Sequence, residues 1–183
     1  LTGNLTLVAE ARLNNPGKSQ GGQPLISKGD TAYSLKISEG GDLEFFIFSA
    51  GKWNNVSAKL PADAASKFHT YAGVYDGATL AIFIDGKSVA SKPCTEAVAT
   101  NDFELAFAID TEETARRFNG SIRRAAVYPA ALAADQLGDP FAAEGAAISL
   151  DFAKDGEKPK TQPFLAYGGD FNDRPNDGSF CAN

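Results

Sequence analysis

Short runs with a period of two residues, each closed by a turn, recur along the first 128 residues of this chain. In residues 4–13 (NLTLVAEARL) apolar side chains alternate with polar ones, and the Asn-Asn-Pro-Gly of residues 14–17 breaks the pattern. Such alternation is typical of a β-strand with one solvated face, because successive side chains point to opposite sides of a strand. The pattern therefore favours folds built from many short strands.

Further runs of this kind follow at similar spacing. The predicted strands are 24–28, 32–38, 42–49, 53–58, 68–75, 79–84, 87–91, 103–109, 121–128 and 146–152. Two intervening turns are Asp-Gly pairs, which favour hairpins because both residues tolerate positive φ. Residues 130–138 (AALAADQLG), preceded by a proline and closed by a glycine, predict the one short helix. We therefore expect an all-β sandwich or jelly roll, with a core that includes Phe45, Phe46, Phe48, Phe83 and Phe107.

The acidic character of the chain argues against some classes of binding partner. Its 183 residues carry a formal net charge of −6, and the pI is near 4.8. Because an acidic surface repels phosphate backbones, we expect no nucleic-acid partner. No cluster of Lys and Arg indicates a membrane surface, and no apolar run is long enough for a transmembrane helix, so we expect no membrane partner either.

Two cysteines, Cys94 and Cys181, lie in unrelated contexts. Neither has a CxxC partner or a nearby histidine, so we expect buried free thiols rather than zinc ligands. The chain contains no Met, begins inside a strand-like run and carries no targeting segment. We interpret it as a piece of a longer protein.

The composition changes after residue 153. Residues 154–163 (KDGEKPKTQP) are polar, contain two prolines and predict a linker. Residues 164–183 are rich in turn-forming residues yet also carry Phe164, Tyr167 and Phe171. Because a free strip of this composition should be disordered, we expect these three rings to pack on the sandwich or on a neighbouring molecule.

Three segments within residues 1–153 resemble a known family. They are LISKGDTAYSLKISEGGDLEFFIF, FHTYAGVYDGATLAIFIDGKSVAS and FNGSIRRAAVYPAALAADQL. The matching positions are Ile26, Lys28, Gly29, His69, Tyr75, Asp76, Gly77, Ile84, Asp85, Gly86, Phe118, Gly120, Ile122 and Tyr128. These hairpins and strand ends resemble the laminin G-like, concanavalin A-like jelly roll. The resemblance implies that fold for residues 1–153 but no single function, because such domains have many roles.

The terminal strip is similar to a different family. The segment YGGDFNDRPNDGSFCAN resembles the Y-G-G-D-F-G-D-x-P-N-D-x-x-F-C-x-N-G-L signature of β-galactosidases of glycoside hydrolase family 2. It departs at Asn172, where the family usually has Gly, and Asn tolerates the left-handed region better than most residues. The resemblance implies that residues 164–183 belong to the catalytic domain of a larger enzyme, with the jelly roll inserted before it.

The same resemblance implies an activity for the parent protein. In that family the Phe carbonyl and the Asn side chain of F-C-x-N bind sodium beside the galactose site, and these residues are Phe180 and Asn183 here. A (β/α)₈ barrel needs about 250 residues, so the family's acid and nucleophile lie outside this chain. We expect no catalytic residue and no cofactor in the chain, which should be inactive alone. The parent should be a retaining, β-galactosidase-like glycoside hydrolase.

Aromatic residues of the jelly roll are candidates for sugar binding. Trp53 and Tyr33 have flat faces that suit a pyranose ring. Trp53 also shares a strand-like run with Val56, so a place in the core is the interpretation we favour. Exposure of Trp53, Tyr33 or Tyr75 on one face would support sugar binding.

Metal binding and catalysis have weaker support in the sequence. Asp76, Asp85 and Asp110 end predicted strands and offer oxygen ligands for calcium at the rim, although Asp-Gly turns need no metal. The lone histidine, His69, has no recognisable nucleophile and acid beside it in the sequence, which favours a structural role.

The features together predict an accessory domain of a galactose-cleaving enzyme. The expected partners are carbohydrate and the rest of the parent enzyme. An extracytoplasmic or periplasmic location is expected, because polysaccharide-degrading enzymes often work there. The alternative is a structural spacer or protein-interaction module without sugar affinity.

Overall fold

The computed structural model describes residues 1–17 and 21–152 together with the strand segments 166–167 and 180–182. These residues form two sheets, which confirms the predicted all-β sandwich. In spatial order the first sheet contains β11 (Ile148–Asp151), β10 (Gly120–Tyr128), β1 (Leu5–Leu13), β6 (His69–Tyr75), β7 (Thr79–Ile84) and β8 (Lys87–Pro93), and β13 (Phe180–Ala182) also pairs with β10. The second contains β12 (Ala166–Tyr167), β9 (Ala106–Phe107), β2 (Gln23–Ser27), β3 (Tyr33–Ile37), β4 (Leu43–Ser49) and β5 (Lys52–Ala58).

The main core lies between the two sheets. Alternate residues of β1, such as Leu5, Leu7 and Leu13, are fully buried there, as the period of two predicts. The facing sheet contributes Phe45 from β4. A Cβ added at Gly73 of β6 would lie 2.5 Å from the Phe45 ring, so a side chain at this position would displace the ring.

A second apolar cluster covers the outer side of the first sheet. It includes Val8, Ala72 and Ala126 of the sheet, on which Leu132 and Leu137 of the following segment pack. The hydroxyl of Thr6 donates to the carbonyl of Ala130 at 2.8 Å and accepts from the amide of Leu132 at 3.0 Å. The segment after β10 is therefore anchored across the sheet by both polar and apolar contacts.

The prediction of an α-helix over residues 130–138 is wrong. The structure has a 3-10 turn at Gln136–Gly138 and another at Pro140–Ala142 instead. Nine residues are fewer than the ~12 that an isolated α-helix needs for stability in water. The Leu132 amide bonds to a strand hydroxyl, so contacts with the sheet override the local helical preference.

Several other sequence predictions can be compared with the structure. Phe45 and Phe107 lie in the main core, whereas Phe46 is buried on the outer side of β4 and Phe48 and Phe83 are partly exposed. The strand predicted over 103–109 is reduced to β9. Cys94 is a buried free thiol, as predicted, and the side chain of Cys181 lies outside the described residues.

The terminal strip meets the sandwich through two short backbone pairings. β12 runs parallel to β9, and β13 runs antiparallel to the start of β10. The predicted linker at 154–163 and the predicted packing of Phe164, Tyr167 and Phe171 lie outside the described residues, so they stay predictions. Among the residues that are described, no helix is long and apolar enough to cross a membrane.

Candidate functional site

The outer side of the second sheet contains a polar cavity of about 360 Å³. We call it the outer pocket, and its lining includes Asp30, Lys36, Glu44, Trp53, Asn55 and Arg116. Strand alternation places four of these residues. In the antiparallel register Lys36 of β3 lies opposite Glu44 of β4, and Trp53 and Asn55 of β5 lie opposite Phe48 and Phe46 of β4. Asp30 and Arg116 reach the pocket from loops that are 86 residues apart in the chain.

Trp53 is the exposed aromatic residue of this pocket. Its side chain is 59% exposed, and its ring packs edge-on against Phe48 with the centroids 5.3 Å apart. The indole Nε1 donates to the backbone carbonyl of Asp30 at 2.8 Å. The ring is therefore held in place at one edge while most of its surface remains open to a ligand.

Lys36 lies between two carboxylates on the pocket floor. Its Nζ is 3.6 Å from Oδ1 of Asp30 and 3.8 Å from Oε1 of Glu44, and it lies 4.9 Å from the centre of the Phe46 ring. Glu44 also accepts a hydrogen bond from Nδ2 of Asn55 at 3.0 Å. The two β-strands thus present a connected set of polar groups that covers the buried Phe46 ring.

Arg116 contributes a second cation from its loop. Its Nη1 donates to Oδ2 of Asp30 and lies 3.9 Å from Oδ2 of Asp110. Burial disfavours the charge of Arg116, but the hydrogen bond and the attraction of the two carboxylates raise its pKa above the usual value. For Asp110 burial likewise disfavours the charged form, and because this group is an acid its pKa is raised. Both cations of the outer pocket therefore face carboxylates.

The two aromatic residues proposed for sugar binding have different environments. Tyr33 is only 3% exposed and lies in the main core, where burial raises its pKa to about 12, so its proposed stacking role is wrong. Tyr75 is buried as well. The expectation that Trp53 lies in the core is also wrong. The signal was in the sequence: Trp53 and Val56 are three residues apart, so a period of two places them on opposite faces of β5.

Asp76, Asp85 and Asp110, proposed for calcium, each have a separate local role. Asp76 accepts from the amides of Ala78 and Thr79 in its turn, at 2.8 and 2.7 Å. Asp85 contacts the ring of His69, and Asp110 accepts from the amide of Glu112. The described side chains contain no group of three or more His, Cys, Asp or Glu that could hold a metal ion. The structure does not bring the three aspartates together.

His69 lies at the beginning of β6 and links two other segments. Its Nδ1 is 2.7 Å from Oδ2 of Asp85, and its Nε2 is 3.0 Å from Oδ1 of Asp63. The ring is 9% exposed and both of its nitrogens have partners. This arrangement agrees with the structural role favoured from the sequence, because it joins the turn after β7 to the loop before β6.

The residues proposed for sodium belong to the terminal strip. The backbone of Phe180 pairs with Ile122 of β10, but its side chain and the whole of Asn183 lie outside the described residues. The sodium site of the parent enzyme remains a prediction from resemblance.

The polar residues of the outer pocket were not identified from the sequence. Lys36 and Glu44 were open to prediction, because alternation assigns both to the outer side of a predicted hairpin. Asp30 and Arg116 were not, because their meeting depends on how two loops fold back over the sheet. No local pattern carries that information.

Comparisons with known proteins agree on the fold. A family model described as the concanavalin A-like lectin/glucanases superfamily matches residues 2–138. No curated protein sequence matches the chain. Among solved structures, a candidate carbohydrate-binding protein from Bacteroides ovatus is 18% identical with a TM-score of 0.68, covering 88% of this chain and 48% of its own. The chain thus spans about half the length of that protein.

Two further structures show the same fold over most of the chain. One is the CBM40 of Ruminococcus gnavus IT-sialidase bound to α2,3-sialyllactose, which is 19% identical with a TM-score of 0.54 and coverages of 74% and 81%. The other is the native heptameric SAP-like pentraxin of Limulus polyphemus, which is 13% identical with a TM-score of 0.54 and coverages of 75% and 69%.

Proposed function

The chain belongs to the concanavalin A-like lectin/glucanases superfamily, and from this premise we propose that its jelly roll binds carbohydrate through the outer pocket. The domain then serves as the accessory module of a larger enzyme. The observation that carries this proposal is the open indole face of Trp53 beside convergent polar groups. A pyranose ring has one apolar face and a rim of hydroxyl groups, so it needs both an aromatic platform and hydrogen-bonding partners.

The geometry of Trp53 suits a platform better than a core contact. The hydrogen bond to Asp30 and the edge contact with Phe48 fix the ring before any ligand arrives. A ring fixed in advance loses little conformational entropy on binding, which favours affinity.

The fold relatives supply independent support. A candidate carbohydrate-binding protein and a CBM40 bound to sialyllactose have the same sandwich fold. Both are under 20% identical to this chain, so their residues are not transferred here. They support the class of ligand, while the position of the site rests on Trp53 and its neighbours.

For the parent protein we propose a β-galactosidase-like, retaining glycoside hydrolase. The support is the similarity of residues 167–183 to the family 2 signature. Tethering a glycan-binding domain to a catalytic domain raises the effective concentration of substrate at the active site without any new contact. The chain contributes binding in this proposal, and the acid and nucleophile belong to the rest of the enzyme.

A structural spacer or protein-interaction module is the competing function. The observation that favours it is the single open aromatic at the pocket, since Tyr33 and Tyr75 are both buried and form no ring of platforms. A spacer would have no measurable affinity for sugars at millimolar concentration.

Isothermal titration of the 183-residue chain with galactose, lactose and galactose-containing oligosaccharides separates the two functions. We expect saturable binding that Trp53→Ala weakens at least about tenfold, because the ring supplies most of the apolar contact area. Phe103→Ala is the matched control, since this ring is also partly exposed, at 38%, but lies away from the lining of the pocket. Absence of binding to every sugar, or equal loss in both variants, would contradict the proposal.

A further inference from the structure

One buried oxygen of the outer pocket lacks a hydrogen-bond partner. Oδ2 of Asp30 is bonded to Arg116, but Oδ1 is buried and has no hydrogen bond within the described residues. Its neighbour is Nζ of Lys36 at 3.6 Å, beyond the upper limit of about 3.2 Å for an N–H···O bond. A buried polar atom without a partner is costly, so such an atom in a pocket is a candidate contact for a ligand.

The Lys36 ammonium also has no hydrogen bond to the described residues. It offers three N–H donors, whereas the two carboxylate oxygens that it faces lie at 3.6 and 3.8 Å. Its long, flexible side chain rests on the Phe46 ring. Because Oδ1 of Asp30 is buried, a ligand can contact this oxygen only when a neighbouring side chain such as that of Lys36 moves aside. The pocket therefore presents one unused acceptor and one unused donor side by side.

A single group that both donates and accepts a hydrogen bond could contact Asp30 and Lys36 at once. We propose that Asp30 and Lys36 together bind a hydroxyl group, and that the outer pocket selects neutral sugars over sugars that carry a carboxylate. A hydroxyl is both donor and acceptor, and its oxygen can lie about 2.8 Å from two atoms that are 3.6 Å apart. It donates to Oδ1 of Asp30 and accepts from Nζ of Lys36. The inference rests on the proposed function.

A carboxylate does not meet the same requirement. It accepts from Lys36 but has no proton for Asp30, whose oxygen would then remain buried, unpaired and next to a like charge. The lining holds three carboxylates (Asp30, Glu39 and Glu44) against two cations, and both cations already face carboxylates. An acidic sugar would therefore add a further negative charge to a lining in which the carboxylates already outnumber the cations.

Two matched pairs of sugars test this inference on the 183-residue chain. Galactose is compared with galacturonic acid, and glucose with glucuronic acid, by isothermal titration at pH 7. The members of each pair differ chiefly in the carboxylate at C6. We expect the neutral member to bind at least about tenfold more tightly, the ratio that one unsatisfied buried group produces. Equal or tighter binding of both uronic acids by the unmodified chain would overturn the inference.

A substitution identifies the residue responsible. Asp30→Asn removes the charge, and we expect it to weaken neutral-sugar binding and to reduce the ratio between the members of each pair. Asp42→Asn is the control, because Asp42 pairs with Lys59 and does not line the pocket. An unchanged ratio in a folded Asp30→Asn protein contradicts the role of Asp30. If that variant does not fold, the ratio measured on the unmodified chain still decides the selectivity.

The Trp53→Ala variant distinguishes failure of the proposed function from failure of the inferred selectivity alone. If no sugar binds, or if binding survives Trp53→Ala, the proposed function fails and the inference fails with it. If Trp53→Ala abolishes binding while uronic acids bind as well as neutral sugars, the function stands and the selectivity is wrong.

Discussion

The two outer faces of the sandwich use the same strand geometry for different purposes. On the first sheet the outward positions hold Val8, Ala72 and Ala126, and the segment that carries Leu132 and Leu137 covers them. On the second sheet the outward positions include Lys36, Glu44 and Trp53, and a polar cavity remains open above them. Both faces follow from the same alternation of side chains along a strand.

The difference shows how this fold separates stability from recognition. Apolar outward residues need a cover, and the cover makes the face part of the folding unit. Polar outward residues with one open aromatic leave the face free for a ligand. A substitution that costs stability on the first face should therefore be tolerated on the second, and binding should depend on the second face alone.

The largest loss of stability is expected from a charge buried on the covered face of the first sheet. Val8→Lys places an ammonium between Ala126 and Ala72, where Val8 is fully buried, so we expect a loss of more than about 4 kcal/mol in the free energy of unfolding. Ser57→Lys introduces the same side chain on the open face opposite Glu44 and should change it by less than about 0.5 kcal/mol. Urea denaturation followed by circular dichroism measures both, and similar losses would remove the distinction between the faces.

A smaller loss of stability is expected from shortening a side chain of the segment that covers the first sheet. Leu137 is 1% exposed and packs on the first sheet, so Leu137→Ala should lower the free energy of unfolding by about 2–4 kcal/mol. Because Leu137 is remote from the outer pocket, the dissociation constant for any sugar that binds should stay unchanged. Urea denaturation and calorimetry of this one variant test both statements, and an altered sugar affinity would show that the faces are coupled.

The smallest effect concerns charges at the end of the first sheet. A hydrogen bond from Lys67 and the charges of Lys67 and His69 lower the pKa of Asp63, and slight burial opposes them. The ionised form is thus favoured in the folded state, so this stabilisation is present above the unfolded pKa and is lost as pH falls through the folded one.

Asp63→Asn should therefore flatten the fall in Tm below about pH 4. Tm is read by circular dichroism at pH values from 7 to 2, with the exposed Asp102→Asn as the control. A Tm–pH curve of the same shape in Asp63→Asn and the unmodified chain would mean that this ion pair does not contribute.

The sequence predicts the sandwich well and the site only in part. Alternation locates most strands. Applied strictly, it also places Trp53 and Val56 on opposite faces of β5, which the favoured interpretation missed. Asp30 and Arg116 come together from loops 86 residues apart, which no local period can reveal. The 3-10 turn at Gln136–Gly138 escaped prediction because its geometry follows from packing on the first sheet, which local propensity does not report.

In the proposed function the open face of Trp53 contacts the ligand, and this residue is the one tryptophan in the chain. Its fluorescence therefore reports on the outer pocket without any label. We would titrate the 183-residue chain with lactose and a longer galactose-containing oligosaccharide while measuring acrylamide quenching of the indole. We expect saturable protection from quenching, with the same dissociation constant as calorimetry. A saturable heat of binding with unchanged quenching would place the ligand elsewhere and contradict the proposed contact with Trp53.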